Sequence, residues 1–281
     1  MLISVVIPTY NRLPILRKCL DALENQILNV EIHSFEIVIV DDGSTDGTVD
    51  WLRNNIETYP HLRLFEQSHG GPALGRNLGV EKSKGELIVF IDSDLVVDKF
   101  FLRNHIDSLF RAWKKLGNRK CFTYGSVINT SNFSNPNSEP FKLQDLSWAY
   151  FATGNVAIDK KLLEKSGLFD NSFRLYGWED LELGERLRNM GVKLIKCPRA
   201  IGYHWHPALA LDQIPQLIRI EKERAKMGLV FYRKHPTLRV KFIIQYTFFH
   251  RCLWEFLTFG GLINTKSLRP LLAFLIKNGQ S

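Results

Sequence analysis

The sequence predicts an α/β fold: a mostly parallel central sheet flanked by helices, with a C-terminal helical extension. Three observations carry this. Short β-branched runs alternate with helical patterns through the first hundred residues, each run ends in a polar stretch, and the last quarter changes composition. Strands and helices alternating at this spacing imply βαβ units, which need parallel strands.

The elements follow in order. Ser4-Val5-Val6-Ile7 reads as a buried strand stopped by Pro8, and Leu13, Leu16, Leu20 and Leu23 place a helical stripe behind it. Glu36 to Val40 is a second strand and Thr48 to Ile56 a second helix, capped by Asp46 or Thr48. Leu62 to Phe65, Ala73 to Glu81 and Glu86 to Ile91 supply a third strand, a third helix and a fourth strand. Residues 129–140, polar and Pro-containing, read as a mobile loop. There are no internal repeats.

In sheets of this kind ligands sit outside the carboxyl ends of the strands. The sequence there is polar: Pro8-Thr9-Tyr10-Asn11-Arg12, Asp41-Asp42-Gly43-Ser44-Thr45-Asp46-Gly47, and Asp92-Ser93-Asp94. No Gly-x-Gly-x-x-Gly follows the first strand and no Gly-Lys-Ser/Thr occurs, which speaks against a dinucleotide dehydrogenase and a P-loop NTPase. Asp92 and Asp94 can present oxygens to one hard cation, Mg²⁺ or Mn²⁺, or can simply form a turn. Asp42 can accept from a base or ribose, or belong to a plain Asp-Gly turn; Tyr10 can stack on a base or join the core. Glu179 and Asp180 fall in the first turn of a predicted helix, where the helix dipole keeps a carboxylate ionised and fit to act as a base. His204 and His206 are candidate further metal ligands, or structural histidines.

Five of these stretches, taken together and in order, resemble family 2 glycosyltransferases. They are residues 5–12, 40–48, 70–77 (Gly-Gly-Pro-Ala-Leu-Gly-Arg-Asn), 91–94 and 177–187 (Gly-Trp-Glu-Asp-Leu-Glu-Leu-Gly-x-Arg-Leu). The resemblance covers residues 3–207 and implies the GT-A fold, a Rossmann-like α/β architecture. It implies that Pro8, Tyr10, Asn11 and Asp42 hold the nucleotide, with Arg76 near the diphosphate. Asp92 and Asp94 match the metal and nucleotide-sugar motif, with His204 ahead of His206 as a further ligand. Asp180 matches the catalytic base, and Glu179, Trp178, Gly154 and Asn155 match the galactosyltransferase-like acceptor side. The implied division is 1–95 for the nucleotide-sugar half, 96–212 for the acceptor half, and 213–281 for a helical tail.

The expected reaction is inverting, metal-assisted transfer from a nucleoside-diphosphate sugar, UDP by family habit, to a glycan or lipid-linked acceptor, as in polysaccharide assembly at the cell envelope. Gln216-Leu217-Ile218-Arg219 is followed by Ile220 rather than the Trp of processive members, so a single sugar is added. The rival readings are a nucleotidyltransferase, which lacks its Gly-rich loop and Lys, and a non-catalytic nucleotide-sugar-binding scaffold.

Charge is divided unevenly. Residues 1–212 hold 25 basic and 26 acidic side chains, whereas 213–281 hold 12 and 3, so the overall +8 belongs to the tail. Ile218 to Tyr232 reads as a charged helix and Phe242 to Ile263 as an aromatic run interrupted by His250, Arg251 and Glu255, hence no spanning helix. The tail either packs on the core or lies on an anionic membrane surface. No nucleic-acid reader motif accompanies the basic residues. Four dispersed cysteines form no metal or disulfide pattern, and the opening residues lack a leader's pattern. The expectation is a cytoplasmic enzyme with reduced thiols, either free or peripheral to the membrane's cytoplasmic face, whose two Asn-x-Ser/Thr sequons carry no sugar.

Overall fold

The computed structural model of the chain describes residues 1–29, 33–140, 150–208, 210–264, 266–268, 270 and 273–274. They divide into two compact units, residues 1–174 with 179–207, and residues 175–178 with 208–281. The boundary thus precedes residue 213, and Leu175–Trp178 group with the tail.

The first unit runs β1 (Leu2–Thr9), α1 (Leu13–Glu24), β2 (Ser34–Asp41), α2 (Thr48–Asn54), β3 (Leu62–Glu66), α3 (Pro72–Lys82), β4 (Leu87–Ile91), β5 (Leu95–Val97), α4 (Phe101–Leu116), β6 (Cys121–Thr130), β7 (Asn155–Asp159), α5 (Lys160–Lys165), α6 (Glu179–Asn189) and β8 (Lys193–Trp205). One eight-stranded sheet has the order β3-β2-β1-β4-β7-β6-β8-β5. Strands β3 to β4 are parallel, as are β6 and β8. Strand β7 is antiparallel to β4 and β6, and β5 to β8.

The central strands are buried on both faces, which is why they read as unbroken apolar runs. Val5, Ile7, Ile37, Ile39, Val89 and Ile91 pack with Leu16 and Leu20 of α1 and Leu102 and Ile106 of α4. The alternate positions Val6, Val38, Ile88 and Phe90 pack with Val80 of α3, Leu163 of α5 and Leu183 and Leu187 of α6. Helix α3 rides close on the sheet, since a Cβ on Gly79 would lie 2.4 Å from Val6 Cγ1.

Helix α2 begins at Thr48 with Gly47, rather than Asp46 or Thr48, at its N-cap and no capping side chain there; Asp46, one residue earlier, accepts from the Thr48 amide at 3.2 Å. The polar stretch from residue 129 is partly strand. Asn129 and Thr130 end β6, paired with His204 and Trp205. Between β6 and β8 the register shifts: Gly125 faces Cys197 but Ser126 faces Ile201, so residues 198–200 bulge from the ladder. All four cysteines are free, with Cys19, Cys121 and Cys197 buried and Cys252 exposed.

The second unit contains α7 (Ile214–Lys234), α8 (Leu238–Ile243) and α9 (Phe248–Leu257). The aromatic run therefore takes in the end of α8, all of α9 and a turn beyond it, with the chain broken between the helices where Gln245 adopts φ 57°. No helix among the described residues is long and apolar enough to cross a membrane.

Candidate active site

Parallel neighbours β1 and β4 lie on either side of the point where strand order reverses, and a ligand crevice opens at the carboxyl ends of such strands. The three polar stretches emerge there, from β1, β2 and β4.

On the β1–β2 side the loops brace one another. Asn11, at φ 51°, donates its amide to Ser44 Oγ at 2.9 Å and accepts from the Thr45 amide at 2.7 Å. Asp42 is buried, and its carboxylate accepts from Gln67 Nε2 (2.6 Å) and from the amides of Gly70 and Gly71 (2.9 Å each). His69 Nδ1 lies 2.9 Å from the same carboxylate, and its ring stacks on Tyr10 with centroids 4.3 Å apart. Tyr10 is 44% exposed, so one aromatic face is presented outward. Pro8 lies against α3, 3.2 Å from where a Gly75 Cβ would sit. In this structure Asn11 tethers two loops, and Asp42 anchors residues 67–71. The sequence reading missed Gln67 and His69, although both immediately precede the Gly-Gly motif.

After β4, Asp92, Asp94 and His204 each offer a ligand atom, and these atoms lie within 4.8 Å of one another. His204 Nε2 is 2.9 Å from Asp94 Oδ1, and its Nδ1 is 3.1 Å from Nε2 of the exposed His206. Strand pairing places them so, because Leu95 of β5 faces His204 of β8. Burial would raise the Asp94 pKa, but the His204 contact, with Arg12 farther off, holds it below the ordinary carboxylate value. For His204 burial works downward, and Asp94 overrides it and raises the pKa. His206 stands behind His204, outside the cluster.

A second cluster adjoins the first. Arg76, buried on α3, donates to Glu179 Oε1 at 2.8 Å and to Asp92 Oδ1 at 3.0 Å. Its Nε and Glu179 Oε2 are buried without a hydrogen-bond partner among the described residues. Asp180 follows at the start of α6, its pKa pushed up to about 7 by burial first and the Glu179 charge second, against the opposing pull of Arg76. That corrects the helix-dipole expectation: desolvation and a like charge outweigh the first-turn field. Glu179 itself faces Arg76 rather than an open acceptor surface.

Four carboxylates, Asp92, Asp94, Glu179 and Asp180, thus meet Arg76 and the half-exposed Arg12, whose Nη2 is 3.9 Å from Asp94. The excess negative charge and the O,O,N donor set fit a divalent cation of the Mg²⁺ or Mn²⁺ kind.

Two acceptor-side expectations meet other surroundings. Asn155 is fully buried; its Nδ2 donates to the Ser126 and Ala200 carbonyls at 3.0 Å each, and its Oδ1 accepts from His105 Nε2 at 2.8 Å. With every polar atom engaged in the core, it does not reach an acceptor. Trp178, at φ 75°, donates Nε1 to the Arg224 carbonyl at 2.7 Å and stacks near Phe231, within the second unit. Gly154 lies beside Asp92: a Cβ there would stand 3.1 Å from Asp92 Oδ2.

Comparison with known proteins identifies the family and the fold. The family model described as glycosyl transferase family 2 matches residues 4–167, more than half the chain. The chain belongs to glycosyl transferase family 2. The model described as the N-terminal domain of galactosyltransferase matches residues 135–207 of this family 2 chain. Chondroitin synthase of Escherichia coli is 27% identical over 242 residues, covering 73% of this chain and 35% of that protein. The chain spans about a third or less of the length of this and two further synthase relatives. Among solved structures, S. aureus TarS 1-349 in complex with UDP-GlcNAc matches with TM-score 0.55 and 18% identity, over 75% of this chain and 59% of that one. Mannosyltransferase PcManGT from Pyrobaculum calidifontis, in complex with GDP-Man and Mn2+, matches with TM-score 0.57 and 23% identity, over 86% and 68%. These likenesses establish the GT-A fold.

Proposed function

We propose that the chain transfers one sugar from a nucleoside-diphosphate sugar to a hydroxyl of a glycan or lipid-linked acceptor, with inversion and with Asp180 as general base. One observation carries the reading: Asp92, Asp94 and His204 cluster with metal-ligand geometry after β4, and Arg76 ties Asp92 to Glu179, the neighbour of Asp180, whose pKa burial pushes up to about 7. A base with its pKa near the working pH combines availability with proton affinity. UDP is the first carrier to test, given the UDP-GlcNAc bound by the S. aureus neighbour; the Pyrobaculum neighbour argues for Mn²⁺ and for trying GDP-mannose.

The exposed face of Tyr10 would take the base, with Pro8 shaping the floor and Asp42 accepting from ribose or base once residues 67–71 yield a donor position. Asp92, Asp94 and His204 would hold the cation, His206 fixing the His204 ring through Nδ1. When bound, Mn²⁺ or Mg²⁺ acts as a Lewis acid that offsets charge on the departing diphosphate. Arg76, already oriented by Asp92 and Glu179, supplies further positive charge near the diphosphate. Asp180 takes the proton from the acceptor hydroxyl as its oxygen attacks the anomeric carbon, and Glu179 sustains the base by raising its proton affinity. Asp180→Asn is expected to lower turnover about 10²–10⁴-fold while donor binding persists. Turnover at the native rate would overturn the assignment.

A further inference from the structure

Helix α9 buries none of its ten residues. Phe248, Cys252 and Phe256 recur at a spacing of four and share one face with Phe249. Phe248 is 81% exposed, Phe256 74% and Phe249 61%. Phe259 continues the surface, stacked on Phe256 with centroids 6.5 Å apart. A helix this short is marginal in water without a partner for its apolar face, and an exposed aromatic surface of this kind marks an interaction site.

Charge selects the partner. From Arg224 to the chain end there are ten Lys and Arg residues and a single acid, Glu255, which Arg251 pairs at 3.1 Å. A second copy would bring a like-charged tail against this one, whereas an anionic lipid surface satisfies both the aromatic face and the basic surround. Helices α8 and α9 have six and ten residues, far short of the ~20 needed to span. Thr237 and Thr247 cap them, accepting from the Val240 and His250 amides. Capped short helices with exposed aromatic rings suit the plane of a membrane interface.

We propose that residues 238–262 dock on an anionic phospholipid surface, inserting Phe248, Phe256 and Phe259 while nearby Lys and Arg residues engage headgroup phosphates. The proposal does not depend on the transferase reading, and Asp180→Asn should bind vesicles as the unmodified chain does.

The test is co-sedimentation of the full chain with vesicles of phosphatidylcholine alone and of equimolar phosphatidylcholine and phosphatidylglycerol. Binding to the anionic vesicles, weakened by salt, is expected. Phe248→Ser and Phe256→Ser should each lower the partition coefficient about tenfold, and Lys241→Gln about fivefold. Because these side chains are exposed or at the surface, the variants should keep the native melting temperature. Failure to sediment, equal binding to both vesicle types, or binding indifferent to the Phe substitutions would overturn the proposal. So would a concentration-dependent dimer that Phe248→Ser dissolves, or a large loss of melting temperature, which would mean that another protein surface covers this face.

Discussion

Arg76→Met tests the electrostatic logic of the site most directly. It keeps the aliphatic stem but removes the guanidinium that bonds Glu179 at 2.8 Å and Asp92 at 3.0 Å. Breaking a buried pair by deleting one partner costs roughly 3–5 kcal/mol, because the other charge stays buried and uncompensated. Asp92 is 32% exposed and recovers some hydration, so the expected loss lies near the lower end, about 3 kcal/mol. Domain stabilities of about 5–15 kcal/mol make that readily measurable by urea denaturation. The sign with pH is defined. Arg76 pulls the raised Asp180 pKa down, so without it that folded pKa stands further above the unfolded value. The unfolded chain then binds fewer protons, and the variant loses stability as pH rises through the folded Asp180 pKa. The deficit should therefore be largest at about pH 8 and shrink toward about pH 5. Adding Glu179→Gln should recover part of it. A deficit below about 1 kcal/mol, or one independent of pH, would refute the account of Arg76 as the cluster's compensating charge.

Further outcomes follow from the same geometry. If Asp180 is the base, kcat/KM should rise with pH through about 7, and Glu179→Gln should move that limb to lower pH by removing a charge that raises the Asp180 pKa; a limb that does not move would separate the two residues. Asp94→Ala should abolish the Mn²⁺-dependent part of donor binding in a thermal-shift titration, and unchanged donor affinity would remove the ligand role. Gly154→Ala should lower donor affinity by pressing a methyl group to 3.1 Å from Asp92 Oδ2; native affinity would mean the carboxylate gives way freely. His105, buried between Thr123 and Asn155, has its pKa depressed to about 4. The unfolded state takes the proton first, so stability falls as pH drops from 6.5 toward 4, by roughly 3 kcal/mol in all. Urea midpoints across that range should show a shallower slope in His105→Leu, even though the variant is weaker at neutral pH.

The parallel half of the sheet was legible because strands buried on both faces must be apolar at every position, as Val5 to Ile7 and Leu87 to Ile91 are. Asp92 and Asp94 were legible for a related reason, since the topology puts whatever follows such a strand into the ligand crevice. The family resemblance put His204 ahead of His206, but the approach of His204 Nε2 to Asp94 depends on strand register, which no local pattern carries. Asn155 was assigned to the acceptor side by family resemblance alone, which does not reveal that its amide lies buried, bonded to residues 29 and 45 positions away. The Asp180 proton affinity was also out of reach. The helix start was visible in the sequence, but the burial and the Glu179 charge that prevail over it were not.

The bulge at residues 198–200 has a consequence for what this protein can tolerate as it diverges. It lies between two stretches of β8 that both pair with β6, residues 193–197 and residues 201–205, and the second presents His204 to Asp94. Asn155 clasps it from within through the Ala200 carbonyl. Side chains alternate faces along a strand, so gaining or losing one residue here would turn His204 to the opposite side of the sheet. Pro198 and Arg199, the exposed residues of the bulge, are free to change identity, while buried Ala200 and the number of bulge residues are not. The Asp94–His204 geometry is thus written in a length of chain as much as in any residue that lines it.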